Sequence, residues 1–308
     1  TSLGPIVGIT QLAPAPDGHR AVLIDGTHHG RILSPVGEPI DLGDELDHAA
    51  FVDDQKLVLA TSAGAVTLGH TDLIARKHPV VALATSPAQG GWVVAAFDDR
   101  TIWRTNLASH AATTLEVDLA PAREALAIAP NGDVVFGAGS ELRIWHTDGT
   151  KQVIAKLGRT IASLSLIGDG RVIAVAHDGS AMIADLAHPN DAAPIALPLA
   201  NPSFAADGSL VGSLATSGAV EVFDPSVGER WTIAQPHDPD APNSVQAHHA
   251  YVQSVAMAPD GQRILAVTTG KLLIWTLGLP QTAEATVPWA EALTNATIAP
   301  AGGLDWKL

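Results

Sequence analysis

The chain contains no cysteine. That excludes disulfides, thiolate nucleophiles and every cysteine-ligated zinc site. Cations are scarce as well. Lys and Arg number 17 against 32 Asp and Glu, a formal net charge of −15, and Arg76-Lys77 is the densest basic pair. Binding nucleic-acid phosphates needs clustered cations, so that partner class is excluded, and the acidity reads as solubility. No apolar run approaches the roughly 20 residues of a spanning helix, so membrane insertion is not expected. The N-terminus does not read as a signal peptide, and a cytoplasmic location is expected. The first residue is Thr1 rather than Met, which points to a piece of a longer polypeptide.

Charged residues make up 16% of the chain and aromatics 4%, while apolar residues reach 46%. That balance belongs to a globular chain with ample core rather than to a disordered one. The apolar residues come in short bursts, as buried strands do.

A repeat organises these bursts. Gly132, Gly170 and Gly208 stand 38 residues apart, and Gly18 lies three such periods before Gly132. Each closes a similar phrase, as in Ala129-Pro130-Asn131-Gly132 and Ala15-Pro16-Asp17-Gly18, and Ala258-Pro259-Asp260-Gly261 is a further copy. A period near 40 with strand-like content predicts a propeller, in which each repeat is one blade that cannot bury its faces alone. Each repeat reads as four strands. The second ends in a tight turn such as His29-Gly30, Ala63-Gly64, Asp98-Asp99 or Asp178-Gly179, where Gly and Asp suit a positive φ. The third carries an anchor, at Ser34, Leu68, Trp103, Trp145, Ala184, Phe223 and Trp275.

The prediction is therefore an all-β, seven-bladed β-propeller of four-stranded antiparallel blades over residues 1–288. Its units fall at about 5–44, 45–79, 80–118, 119–159, 160–201, 202–243 and 244–288. Residues 281–288 are expected to supply the outer strand of the seventh unit. Residues 289–308 read as a short C-terminal helix and hairpin tail packed on the ring, with Trp289–Asn295 helix-like; the alternative is the start of an eighth unit, since Ala296–Gly302 echoes the first-strand phrase and Gly302 lies 41 residues after Gly261.

The run from Ala247-His248-His249 through Val252-Gln253-Ser254-Val255-Ala256 to Pro259-Asp260-Gly261 and Leu273-Ile274-Trp275 resembles the WD-repeat family of β-propellers. His248 stands at that family's His position. The resemblance implies a stabilising network of His, turn Asp, Ser or Thr, and third-strand Trp. No unit holds all four: Thr269 stands where the seventh unit's Asp would be, and Ala184 replaces the fifth unit's Trp. Rigidity must then rest on apolar packing. The tail is similar to the ends of WD-repeat regions in large bacterial signalling proteins, which implies a ring attached to a kinase, NTPase or protease-like domain.

Catalytic chemistry is sparse. The first strands, which converge on the channel, are rich in small residues. Their ionisable groups are Asp47, His48, Arg123 and Glu124. No phosphate loop, Gly-x-Ser-x-Gly or His-Glu-x-x-His occurs. The pairs His28-His29 and His248-His249 point to opposite faces of a strand and do not readily share an ion. No metal, cofactor or catalytic residue is assigned.

The reading is a non-enzymatic interaction scaffold or sensor ring that binds a protein partner or another domain of its own polypeptide. The alternative is a propeller enzyme, lactonase-like or another hydrolase, with a metal in the channel. The step from Phe223 to Trp275 is the longest between anchors and locates an insertion at 233–250. In and beside it, Arg230, Trp231, His237, Asp238, Asp240, His248, His249 and Tyr251 form the densest aromatic, histidine and charged group in the chain. They are the candidate binding residues, because interface centres favour Trp, Tyr and Arg. The competing reading is a passive loop.

Overall fold

The computed structural model of the chain describes residues 8–34, 38–168, 170–188, 191–195, 197, 202–205, 211–214, 220–224, 229–233, 252–268, 271–277, 296–298 and 304–306. Their regular structure is almost entirely strand, joined by turns and irregular chain. Beyond strands they hold one three-residue 3₁₀ turn, Ala88–Gly90, and no helix among them is long and apolar enough to cross a membrane.

Seven antiparallel sheets follow one another in the chain, each hydrogen-bonded in sequence order. The first holds β1 (Ile9–Pro14), β2 (Ala21–Asp25), β3 (Gly30–Leu33) and β4 (Ile40–Gly43). The second holds β5 (Leu46–Phe51), β6 (Leu57–Thr61), β7 (Ala65–Leu68) and β8 (Thr71–Ala75). The third is β9 (Val80–Ser86), β10 (Trp92–Phe97), β11 (Thr101–Asn106) and β12 (Ala112–Glu116). The fourth is β13 (Leu126–Ile128), β14 (Val134–Ala138), β15 (Glu141–Trp145) and β16 (Lys151–Lys156). The fifth is β17 (Ile161–Ile167), β18 (Arg171–Ala176), β19 (Ala181–Asp185) and β20 (Ala193–Ile195). The sixth is β21 (Ser203–Phe204), β22 (Val211–Leu214), β23 (Val220–Asp224) and β24 (Glu229–Ile233). The seventh shows three strands among the described residues, β25 (Ser254–Met257), β26 (Arg263–Thr268) and β27 (Lys271–Thr276). β1 packs beside both β5 and β25, so the first sheet neighbours the second and the seventh and the ring closes. The protein is a seven-bladed β-propeller.

The chain divides into two compact units, residues 1–274 and 275–308. In the second, β28 (Ala296–Ile298) and β29 (Leu304–Trp306) pair as an antiparallel hairpin. The expected outer strand at 281–288 and helix at 289–295 lie outside the described residues.

The third blade shows why its second strand is apolar throughout. Successive side chains of Trp92-Val93-Val94-Ala95-Ala96-Phe97 point to opposite faces. Val93, Ala95 and Phe97 join Val58, Ala60, Val66 and Trp103 against the second blade. Val94 and Ala96 join Leu126, Val134, Phe136 and Trp145 against the fourth. A sheet buried on both faces needs a continuous apolar run rather than an alternating one. The anchors Trp103, Trp145 and Phe223 are 5%, 3% and 5% exposed, so they are core.

The turns after the second strands depart from expectation in chemistry. The positive-φ residue is Gly64 in the second blade, Gly139 in the fourth and Gly179 in the fifth, but His28 in the first and Arg100 in the third. In those two an Asp ties the turn instead, Asp99 from the expected Asp98-Asp99 pair and Asp25 ahead of the expected His29-Gly30. Asp25 accepts hydrogen bonds from the Thr27 amide, 2.9 Å, and hydroxyl, 2.5 Å. Asp99 does the same for Thr101, at 3.0 and 2.5 Å. Burial alone would raise the Asp99 pKa; the Thr101 bonds and the nearby Arg76 outweigh it and hold the carboxyl below its ordinary range.

Gly64 is fixed sterically as well. A Cβ there would lie 2.2 Å from the His78 carbonyl oxygen and 2.5 Å from that of Arg76, at a φ of +86. Gly64→Ala should therefore lower the melting temperature by roughly 5 °C or more. Arg100→Gly relieves a left-handed φ of +66 and should leave it level or raise it. Thermal denaturation of the two variants beside the parent checks both; an unchanged melting temperature for Gly64→Ala would show that the turn relaxes freely.

Candidate functional site

Two places were singled out by the sequence: the insertion between the sixth and seventh blades, and the channel ends of the first strands. Of the insertion group, Arg230 and Trp231 fall in β24, the outer strand of the sixth sheet, opposite Phe223 and Val222. Arg230 is half exposed and lies 3.8 Å from Glu221. Ile233 ends the strand opposite Val220, at the end of the blade that carries the turn between second and third strands. Arg230 sits three residues back from that end, about 10 Å along the strand. His237, Asp238, Asp240, His248, His249 and Tyr251 lie outside the described residues.

The face on which β24 ends is built in a regular way. Connections between blades run beside the turns that join second to third strands, and backbone bonds zip them together: Leu46 N–H to His28 O, 2.9 Å; Ser62 N–H to Glu45 O, 2.9 Å; Ile161 N–H to Gly139 O, 2.8 Å. Side chains repeat the pattern. His28 meets Asp47 at 2.8 Å, His29 meets Asp44 at 2.6 Å, and His78 meets Asp98 at 3.0 Å. Arg76 meets Asp99 at 3.2 Å and Arg143 meets Asp118 at 2.6 Å.

The structure brings the four channel-end groups into one neighbourhood. Arg123, on the connection into the fourth blade, donates to the Asp47 carbonyl oxygen of the second, reaching past the third. Its charge acts on His48. The latter is 4% exposed, and its Nε2–H donates to the Val80 carbonyl oxygen at 3.1 Å. Burial first, and the Arg123 charge second, push the His48 pKa down to about 3. A neutral imidazole already committed to a carbonyl is a poor proton carrier near pH 7; it closes a seam between blades.

Below this mouth a cavity of about 620 Å³ runs between the inner strands of the first, fourth, fifth, sixth and seventh blades. Thr10, Ser163, Ser165, Ser203 and Ser254 line it, with Glu124 as the one ionisable residue among the described residues that line it. Among the described residues no group of three or more His, Asp or Glu side chains is placed to hold a metal ion.

Sequence reasoning missed Arg104 and Gln11. Arg104 is 3% exposed, lies 3.9 Å above the Trp145 ring and donates to the carbonyls of Gly132, Trp145 and His146. Gln11 clamps Ala49 of the next blade, donating to its oxygen at 3.1 Å and accepting from its amide at 2.9 Å. A charged residue directly after the anchor Trp103 was the available signal for Arg104; Gln11 gave none.

His48 makes a stability prediction whose sign is fixed. Its folded pKa lies below the unfolded value of 6.5, so between these values the unfolded chain binds the extra proton. The contribution is intact above pH 6.5 and lost as pH falls, by up to about 1.4 kcal/mol per pH unit. Denaturant titrations between about pH 7 and about pH 5, above the range where carboxylates titrate, should show falling stability. His48→Gln, which can still donate to Val80, should flatten the slope; an equal slope in that variant would assign the loss to other groups.

The chain matches no protein-family model and no curated protein.

Proposed function

We propose that the ring is a non-enzymatic interaction scaffold of WD-repeat type. It binds a protein partner, or another domain of a longer bacterial signalling polypeptide, in the cytoplasm. The observation that carries this reading is the asymmetry of one face. Between most successive blades the connection is short and zipped to a neighbouring turn, whereas β24 ends at Ile233 and β25 begins at Ser254. The chain between them is the longest connection from one sheet to the next, and it departs from the face that carries the turns. Rigid frames with variable loops suit recognition, and the propeller commonly serves as such a frame.

The hydrolase alternative lacks a comparable support. His48 is the one histidine on the described inner strands, and it is neutral and bonded to Val80.

The contact segment is 233–250 with Arg230, Trp231 and Tyr251 beside it. The test replaces 236–243 with a Gly/Ser linker and, as a control, exchanges the turn residues 147–150 on the opposite face. With melting temperatures held, capture of a partner found with the parent ring should fall at least about tenfold for the first variant and stay level for the second. Undiminished capture by the loop-replaced ring would remove the segment as contact site.

A further inference from the structure

The channel carries a second kind of recognition. Its lining hydroxyls are only partly used by the protein. Thr10 Oγ1 donates to the Ile24 carbonyl at 3.1 Å, which leaves its oxygen as an acceptor. Ser203 Oγ accepts from the Met257 amide at 2.9 Å, which leaves its hydrogen to donate. The side-chain hydroxyls of Ser163 and Ser254 have no hydrogen-bond partner among the described residues, although their backbones pair in the sheets. Glu124 is exposed. Its backbone oxygen accepts from Leu164 N–H at 2.9 Å, while its carboxylate has no ion pair or hydrogen bond among the described residues. The nearest cation in sequence, Arg123, donates to the Asp47 carbonyl, and its charge interacts with the Glu124 carboxylate without an ion pair between them.

A cavity of about 620 Å³ lies within the range of small-molecule sites, about 300–1,000 Å³, and its lining sets hydroxyls, glutamine amides and a carboxylate among apolar side chains. It offers donors and acceptors in mixture together with one negative charge. An acidic chain, net −15, also concentrates cations near its surface. The complementary molecule has several hydroxyls, which both give and accept hydrogen bonds, and one ammonium group for the carboxylate. We propose that the channel binds a small hydroxylated monoamine of hexosamine size, its ammonium on Glu124 and its hydroxyls on the serines and Thr10. This does not depend on the interaction face: a ring that captures no partner can still take the amine.

The test uses the whole chain and three probes: D-glucosamine, D-glucose, which keeps the hydroxyls without the charge, and methylamine, which keeps the charge without the hydroxyls. Calorimetric titration or ligand-observed NMR should give saturable glucosamine binding with a dissociation constant of about 1 mM or tighter. Both other probes should bind at least about tenfold more weakly. Glu124→Gln keeps the backbone bond to Leu164 and should weaken glucosamine about tenfold or more at an unchanged melting temperature. Ser254→Leu narrows the channel and should weaken it too; if that variant fails to fold, Glu124→Gln decides. No saturation by glucosamine would mean that the channel holds water only and would overturn the proposal. Equal binding of glucose, insensitivity to Glu124→Gln, or full binding by a folded Ser254→Leu ring would overturn it as well.

Discussion

Among the described residues the blades bury apolar side chains on both faces of their sheets, and that one constraint organises the rest. A sheet with one buried face can end against water; a sheet with two needs a neighbour on each side. Val93, Ala95 and Phe97 require the second blade, while Val94, Ala96 and Ile102 require the fourth. The same demand passes from blade to blade through Ile161 and Val172, then Ile173, Val211 and Phe223. It returns through Ala21, Ala258 and Leu265 between the seventh and the first. Only a closed ring meets it without an exposed apolar face. Burying one such Phe or Leu contributes about 1.5–3 kcal/mol, so closure is a sum of many ordinary terms rather than the work of one contact.

Closure creates a polar problem that the ring solves locally. The inner strand of each blade presents an edge with unpaired amides and carbonyls, and an unpaired buried group is costly. The Gln11 amide fills both positions at Ala49, His48 serves the Val80 oxygen, and Ser203 serves the Met257 amide. Farther out, Arg104 satisfies three carbonyls of the fourth blade, and Arg263 donates to the Asp17 carbonyl across the seam of the seventh and first blades, at 2.7 Å. These contacts match no shared side-chain pattern. The family-type network of His, Asp, Ser and Trp is incomplete in every unit of the sequence, and individual seams instead use whichever polar side chain reaches the orphaned group.

This difference explains what the sequence could disclose. Blade pitch and anchor positions recur because each blade solves the same packing problem, and a recurring solution leaves a period. Trp103, Trp145 and Phe223 were legible for that reason, and they are buried where the repeat puts them. The seam contacts are solved once each and leave no period, so Gln11 and Arg104 were silent. The turns lie between these cases. Glycine at positive φ was anticipated, but His28 and Arg100 hold the same conformation because Asp25 and Asp99 tie the following backbone in place. At the channel mouth the residue types Asp47, His48, Arg123 and Glu124 were legible as a set. What was not legible was that Arg123 spans the third blade and that His48 faces a carbonyl, since both depend on the curvature of the ring.

The same division separates stability from recognition. Polar groups of the inner rim that serve the seams cannot be spared for ligands without opening the ring, and His48, bonded to the Val80 carbonyl, is one of them. The channel also holds serine hydroxyls and Glu124 that serve no seam among the described residues, and the stretch from β24 to β25 is the longest connection from one sheet to the next. Lengthening a connection tenfold costs only about 2 kcal/mol of closure entropy, a small part of what the blade interfaces contribute. The ring can therefore carry a long connection on one face while its seams remain intact.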